Sequence, residues 1–166
     1  MPSATLALRN RLGERSPSSA CSEMATVMLE RPLHRFSLRI YYEDTDFSGA
    51  VYHASYLRFF ERARTEWLRA LGFDQRAAFE ARPPVTFVVT RLSIAYRRPA
   101  HMDDVITMET ELLELRGASL VLAQRALRGE EILAQAEVTV AAIRGGRPVR
   151  LPRVIAAALT PSSAYF

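Results

Sequence analysis

The hydrophobic rhythm of the chain changes twice, and those changes divide it into elements. Residues 33–42 run through branched, aromatic and basic side chains without a breaker, which predicts a strand. After a turn at Gly49, the residues Tyr56, Phe60, Ala63, Trp67 and Leu71 recur at helical spacing. Arg58, Glu61, Arg62, Glu66 and Arg69 fill the opposite side, and Gly72 is a natural stop. About eighteen residues at 1.5 Å each make a helix roughly 27 Å long. A shorter helical turn is expected over 75–80, ended by Pro83 and Pro84.

From there the period is two. Strands are predicted over 85–96, 104–115, 119–127 and 132–143. The last alternates most cleanly, with Ile132, Ala134, Ala136, Val138, Val140 and Ala142 on one face and Gln135, Glu137 and Thr139 on the other. Short connections at Arg116-Gly117-Ala118 and Arg128-Gly129-Glu130 imply hairpins, hence an antiparallel meander. A closing turn of helix is expected over 152–159. The plan is α+β: a five-stranded curved antiparallel sheet wrapped around one long central helix, which buries its apolar stripe against the sheet. A single helix leaves one sheet face uncovered, and oligomerisation is the natural cover.

Composition adjusts this picture at its edges. A chain of 166 residues makes one domain, expected over 28–160, with a tail at 161–166. Residues 1–27 show no sustained period and contain RSPSSACSE, so they read as a disordered extension; Met24 and Met28 are alternative starts. No apolar run approaches the roughly 18 residues that span a bilayer, and the N-terminal apolar stretches are too short for a secretory signal. A cytoplasmic location is expected. The lone Cys21 forms no internal disulfide and reads as a spectator.

All 22 basic residues are arginine, which excludes lysine Schiff-base chemistry. The net charge of +4 comes from residues 31–166, because the first thirty hold three arginines and three glutamates. That balance suits an anionic ligand or an acidic protein surface. No interleaved basic and aromatic stripe points to nucleic acid.

Candidate chemistry concentrates in residues 40–56, IYYEDTDFSGAVYHASY. Two aspartates, Asp44 and Asp46, precede the Gly49 turn, and the pair Tyr52-His53 opens the long helix. A carboxylate and an imidazole thus arrive where backbone N–H groups lack intrahelical partners, a place that stabilises a developing anion. The bland alternative is a turn or helix-entry aspartate with a capping histidine.

The run EDTDFSGAVYHASYLRFFERARTEWL, with FVVTRLSIAYRRPAHMDD and LRGASLVLAQR after it, resembles the hotdog-fold acyl-CoA thioesterases of the 4-hydroxybenzoyl-CoA thioesterase superfamily. The likeness spans about residues 33–159 and is closer to the Tol-Pal-associated branch than to the hydroxybenzoyl-CoA branch, which has an aromatic at the position of His53. The resemblance implies that Asp46 is the catalytic carboxylate. It implies that the backbone N–H of His53, at the first position of the helix, polarises the thioester carbonyl. It places Arg116 to Ser119 against CoA phosphates, and implies a homodimer or homotetramer with the site between subunits.

The chemistry is consistent with this. A thioester carbonyl gains negative charge when attacked, and the carboxylate either draws a proton from water or attacks to give an anhydride. No metal or organic cofactor is needed. Free acyl-CoA is the expected substrate, with acyl carrier protein, itself acidic, as the second thiol carrier. A non-catalytic acyl-CoA binding module serving cell-envelope partners is the rival function.

Other residues carry bland readings beside sharp ones. Asp44 organises the turn. Tyr52 packs or lines the acyl pocket. Glu61 sits in an ion-pair network with Arg58, Arg62, Arg64 and Thr65, although some hotdog enzymes carry their carboxylate on this helix. His34 and His101 lack ligand-spaced partners. Arg144, Arg147, Arg150 and Arg153 form a solvated stretch by default, with CoA phosphates or anionic lipid as the sharper reading. Phe47 is bulky where relatives often carry a small residue or proline, which leaves acyl preference open.

Overall fold

Period-two segments pair in the structure, a computed structural model that describes residues 33–159. The strands are β1 (His34–Arg39), β2 (Thr86–Tyr96), β3 (Val105–Leu115), β4 (Ser119–Arg128), β5 (Glu131–Arg144) and a two-residue β6 (Arg147–Pro148). The helices are α1 (Ser55–Ala70), α2 (Gln75–Glu80) and α3 (Arg153–Leu159). The expectations for residues 1–27, Cys21 and the tail 161–166 lie outside the described residues.

Strands β1, β3, β4, β5 and β2 lie in that order in one antiparallel sheet, and β6 adds a sixth strand by pairing with the end of β5. The two predicted hairpins, β3–β4 and β4–β5, are present. The expected five-stranded sheet with one long helix is therefore the frame, with β6 as an addition.

Helix α1 buries Tyr56, Phe59, Phe60, Ala63, Trp67 and Leu68; the predicted stripe is widened by Phe59 and Leu68, while its last member Leu71 caps the helix and is half-buried. The core falls into two clusters. Tyr56, Phe59, Phe60 and Ala63 pack with Ile106, Met108 and Ala126. Trp67 and Leu68 pack with Leu120, Leu122, Val138 and Ile155. Between them runs a polar belt. Gln124, fully enclosed, donates to the carbonyl of Phe60 (3.1 Å) and to Oγ1 of Thr110 (2.9 Å), and accepts from the guanidinium of Arg64 (2.8 Å). Each buried polar atom there has a partner, as burial requires.

Three boundaries differ from the sequence reading. The first strand ends at Arg39 rather than residue 42, and Tyr42–Asp44 forms a 3-10 turn. Its cause is Asp44, whose carboxylate accepts from the N–H of Tyr41 (3.0 Å) and curls the chain off the ladder. Helix α1 has 16 residues and begins at Ser55, so His53 lies in the turn ahead of it rather than at its first position. There the N–H of Ser55 donates to the carbonyl of Tyr52 (2.8 Å), closing a tighter turn. In β5, a register shift opposite Ala126 and Leu127 puts Leu133 in the core and leaves Ile132 half-buried.

Candidate active site

Asp44 anchors the loop between β1 and α1. Its side chain is 4% exposed as a residue and faces Arg58 at 3.8 Å, while its main-chain carbonyl accepts from the N–H of Tyr52 (2.9 Å) and Oγ of Ser55 (3.2 Å). One residue therefore ties the 3-10 turn to the start of the helix. The expectation that Asp44 organises the turn describes this geometry.

Between these ties the chain makes a small hairpin. Thr45 and Val51 form a bridge, the N–H of Asp46 donates to the carbonyl of Ala50 (3.0 Å), and the N–H of Gly49 donates to the carbonyl of Asp46 (3.0 Å). Gly49 has φ +77°, the left-handed backbone that glycine adopts without a Cβ penalty. Val51 continues into the core by donating to the carbonyl of Ala100 (2.8 Å).

Asp46 stands at the base of this hairpin with its carboxylate in the open. Oδ1 accepts both the hydroxyl of Ser48 (2.5 Å) and its N–H (2.8 Å). These bonds, the hydroxyl first, hold the carboxyl below the usual carboxylate range, and the nearby His53 adds a small charge effect in the same direction. Asp46 is therefore ionised at neutral pH. Phe47, next to it, is fully exposed at 109%.

His53 is exposed, and its ring is packed edge to face against Tyr52 (centroids 4.5 Å apart) and Tyr96 (6.2 Å). Its carbonyl accepts the hydroxyl of Tyr96 (2.9 Å). Among the described residues the N–H groups of His53 and Ala54 have no protein acceptor. They precede the positive end of a 16-residue helix. Asp46, Tyr52 and His53 thus lie on the one loop between β1 and α1, where His53 acts electrostatically on the ionised Asp46 and the N–H groups of residues 53 and 54 are free among the described residues.

Arg116 and Ser119 do not join them. They flank the β3–β4 turn, where the N–H of Arg116 donates to the carbonyl of Ser119 (2.9 Å) and its guanidinium pairs with Glu114 (2.6 Å). That turn closes the far end of β3, about ten steps of 3.4 Å from Val105, which pairs with Arg39 at the Asp46 end. Within one chain these residues are at opposite ends of the sheet. Arg144, Arg147, Arg150 and Arg153 are exposed toward the same far end, with no carboxylate partner among the described residues.

At the far end also lies a cavity of about 110 Å³ between α1 and the sheet, lined by Glu61, Arg64, Trp67, Phe87, Leu122 and Val140 among others. Glu61 accepts from Thr65 (2.8 Å) and acts on Arg64 only through its charge, with no ion pair among the described residues, while Arg58 faces Asp44 and Arg64 donates to Gln124. His101 is exposed and its N–H donates to Asp104 (2.9 Å), while Nδ1 of the half-buried His34 has no partner among the described residues. Among the described residues no cluster of metal-ligating side chains occurs, and no helix is long and apolar enough to cross a membrane.

Two contributors escaped the sequence reading. Ser48 had a local signal, since Asp-x-Ser is a spacing at which a carboxylate captures the next turn's donors. Tyr96 had none, because its contact with His53 joins residues 43 apart.

Comparison with known proteins gives a consistent pattern. The model of the thioesterase-like superfamily matches residues 41–159. The acyl-CoA thioesterase YbgC of Haemophilus influenzae is 46% identical over 125 residues, covering 74% of this chain and 91% of that protein. The acyl-CoA thioester hydrolase YbgC of Escherichia coli is 45% identical over 128 residues, covering 75% of this chain and 94% of that one. A probable thioesterase from Bartonella henselae has a solved structure with a TM-score of 0.71 and 43% identity, covering 73% of this chain and 100% of its own.

Proposed function

Since the chain belongs to the thioesterase-like superfamily, we propose that it hydrolyses an acyl-CoA thioester to the free acid and CoA, with Asp46 as the catalytic carboxylate. The observation that carries the roles is an ionised Asp46 on the same loop as two N–H groups, at the entry to α1, that have no acceptor among the described residues. The thioester carbonyl lies against the N–H groups of His53 and Ala54, which receive its developing charge. One such donor is worth about 3–4 kcal/mol in the transition state. Asp46 either takes a proton from the attacking water or itself attacks the thioester carbonyl; the bonds from Ser48 favour the charged form that both routes need. The imidazole of His53 shapes the wall, and Tyr52 lines it.

The working unit is a homodimer. Strand β2 ends the sheet, runs eleven residues, and exposes its middle from Val88 to Ser93. A long bare edge of this kind seeks a partner strand. Antiparallel pairing of two such edges about a two-fold axis sets the Tyr96 end of one chain beside the Phe87 end of its partner. That brings Asp46 and His53 of one protomer toward the cavity of the other. It also brings the partner's Arg116–Ser119 turn and the arginines between 144 and 153 within reach of the CoA phosphates. The cavity takes the acyl group, and tetramers arise from such dimers.

The motif around Asp46 and His53 favours the Tol-Pal-associated branch, and a cytoplasmic location fits a CoA thioester substrate. An acidic acyl carrier protein is the second thiol carrier, favoured by the net charge of +4.

The deciding experiment is Asp46→Asn in the purified oligomer, assayed on a panel of short, long, branched and aromatic acyl-CoA thioesters. A loss of about a hundredfold or more in kcat is expected. Turnover within about tenfold of wild type on the best substrate would overturn the assignment and favour a non-catalytic acyl-CoA binder.

A further inference from the structure

We infer that Tyr96 is a positioning residue of the hydrolytic site: by donating its hydroxyl to the carbonyl of His53 it fixes the peptide group that leads into α1 and aims the free N–H of Ala54. This rests on the reading above, in which that N–H and the N–H of His53 receive the oxyanion.

The carbonyl of His53 needs an outside partner. In a regular helix the N–H of Leu57 would reach back four residues to it. Here Leu57 donates to the carbonyl of Ala54 (3.1 Å) and Ser55 donates to that of Tyr52 (2.8 Å), so the helix entry supplies no donor to residue 53. The hydroxyl of Tyr96 does, at 2.9 Å. A peptide unit is planar, so its carbonyl and the N–H of the next residue point in opposite directions. Holding the carbonyl of His53 against Tyr96 therefore directs the N–H of Ala54 the other way. Accepting a hydrogen bond also polarises the unit and makes that N–H a better donor.

The phenol is itself well held. Tyr96 is the last residue of β2 and pairs with Ala134 of β5. Its ring meets the buried Tyr56 edge to face at 5.6 Å and the ring of His53 at 6.2 Å. Tyr56 belongs to the core cluster with Phe59 and Ile106, so the contact reaches from the hydrophobic interior to the exposed His53. Burial raises the Tyr96 hydroxyl above the usual tyrosine range, which keeps it protonated and donating across the working pH.

Tyr96→Phe tests this, because it keeps the ring and removes only the donor. Expected in the intact oligomer are a drop of about tenfold or more in kcat and a KM changed by less than about twofold, with the melting temperature and oligomeric state of wild type. A merely structural role would lower stability and leave kcat per folded site unchanged. Replacement of residue 96 by 3-fluorotyrosine preserves shape and hydroxyl, and is expected to keep kcat near wild type. Independently of turnover, amide hydrogen exchange over residues 53–57 is expected to accelerate in Tyr96→Phe. A kcat within about twofold of wild type for Tyr96→Phe, beside an inactive Asp46→Asn, overturns the inference and spares the catalytic reading. An active Asp46→Asn overturns the catalytic reading, and unchanged exchange at 53–57 then overturns the positioning role separately.

Discussion

Ser48 grips Asp46 twice, through its hydroxyl at 2.5 Å and its N–H at 2.8 Å, both on the same carboxylate oxygen. The hydroxyl is the larger cause of the lowered pKa. Ser48→Ala keeps the N–H and loses the hydroxyl, so the carboxyl moves up toward its ordinary range. The charged form is the active one, and activity disappears as pH falls through the pKa. The acid limb of kcat/KM is therefore expected at higher pH in Ser48→Ala than in wild type, with neutral-pH activity largely kept. A pH–rate profile checks it, and coincident acid limbs would show that Asp46 does not govern that limb.

Asp44 is expected to matter for folding before it matters for chemistry. Its buried carboxylate accepts from Tyr41 and faces Arg58, and the turn it closes carries the ties to Tyr52 and Ser55. Asp44→Ala leaves the Tyr41 N–H without its acceptor, at a cost of about 1–3 kcal/mol. Chemical denaturation measures this directly. A midpoint equal to that of wild type would remove Asp44 from the frame.

The polar belt inside the core yields a third expectation. Gln124→Leu preserves bulk but strips partners from Arg64 and Thr110 together. Because Arg64 is half-buried, its guanidinium then faces apolar surroundings. A loss of about 1–3 kcal/mol is expected by thermal or denaturant melting. An increase in stability would mean that the belt opposes folding.

Assembly along β2 can be broken near its centre. Leu92 is exposed and lies close to the midpoint of the strand, so a two-fold axis there sets it near its own copy. Leu92→Glu places like charges together, which is destabilising across strands. Light scattering is expected to show a shift toward monomer, with activity per chain falling in parallel. Full activity in a monomeric Leu92→Glu would mean that one chain holds a complete site.

Much of this architecture is legible in the sequence. The stripe from Tyr56 to Leu71 announces a helix because five apolar residues share one face, and β3, β4 and β5 announce themselves by alternation and glycine turns. Tyr41 and Tyr42 misled for the same reason: aromatic residues read as strand, and only the capture of the Tyr41 N–H by Asp44 turns them into a 3-10 turn. The start of α1 was read two residues early because its first turn is closed by Ser55 rather than by a capping side chain. Asp46 stands out in the sequence because its neighbours form a motif. Tyr96 was invisible, since no local pattern tells a strand residue which loop it will touch. The separation of Arg116 and Ser119 from Asp46 was equally hidden, as a motif carries chemistry but not the end of the sheet on which it lands.

The exposure of Phe47 leaves its position tolerant of change. It crowns a hairpin whose shape is set by Gly49, Ser48 and main-chain bonds, so its side chain answers to none of the forces that fold the protein. Surface changes of that kind ordinarily shift stability by under about 0.5 kcal/mol. Substitutions at residue 47 are therefore expected to alter what the neighbouring carboxylate meets while leaving the fold of the single chain intact.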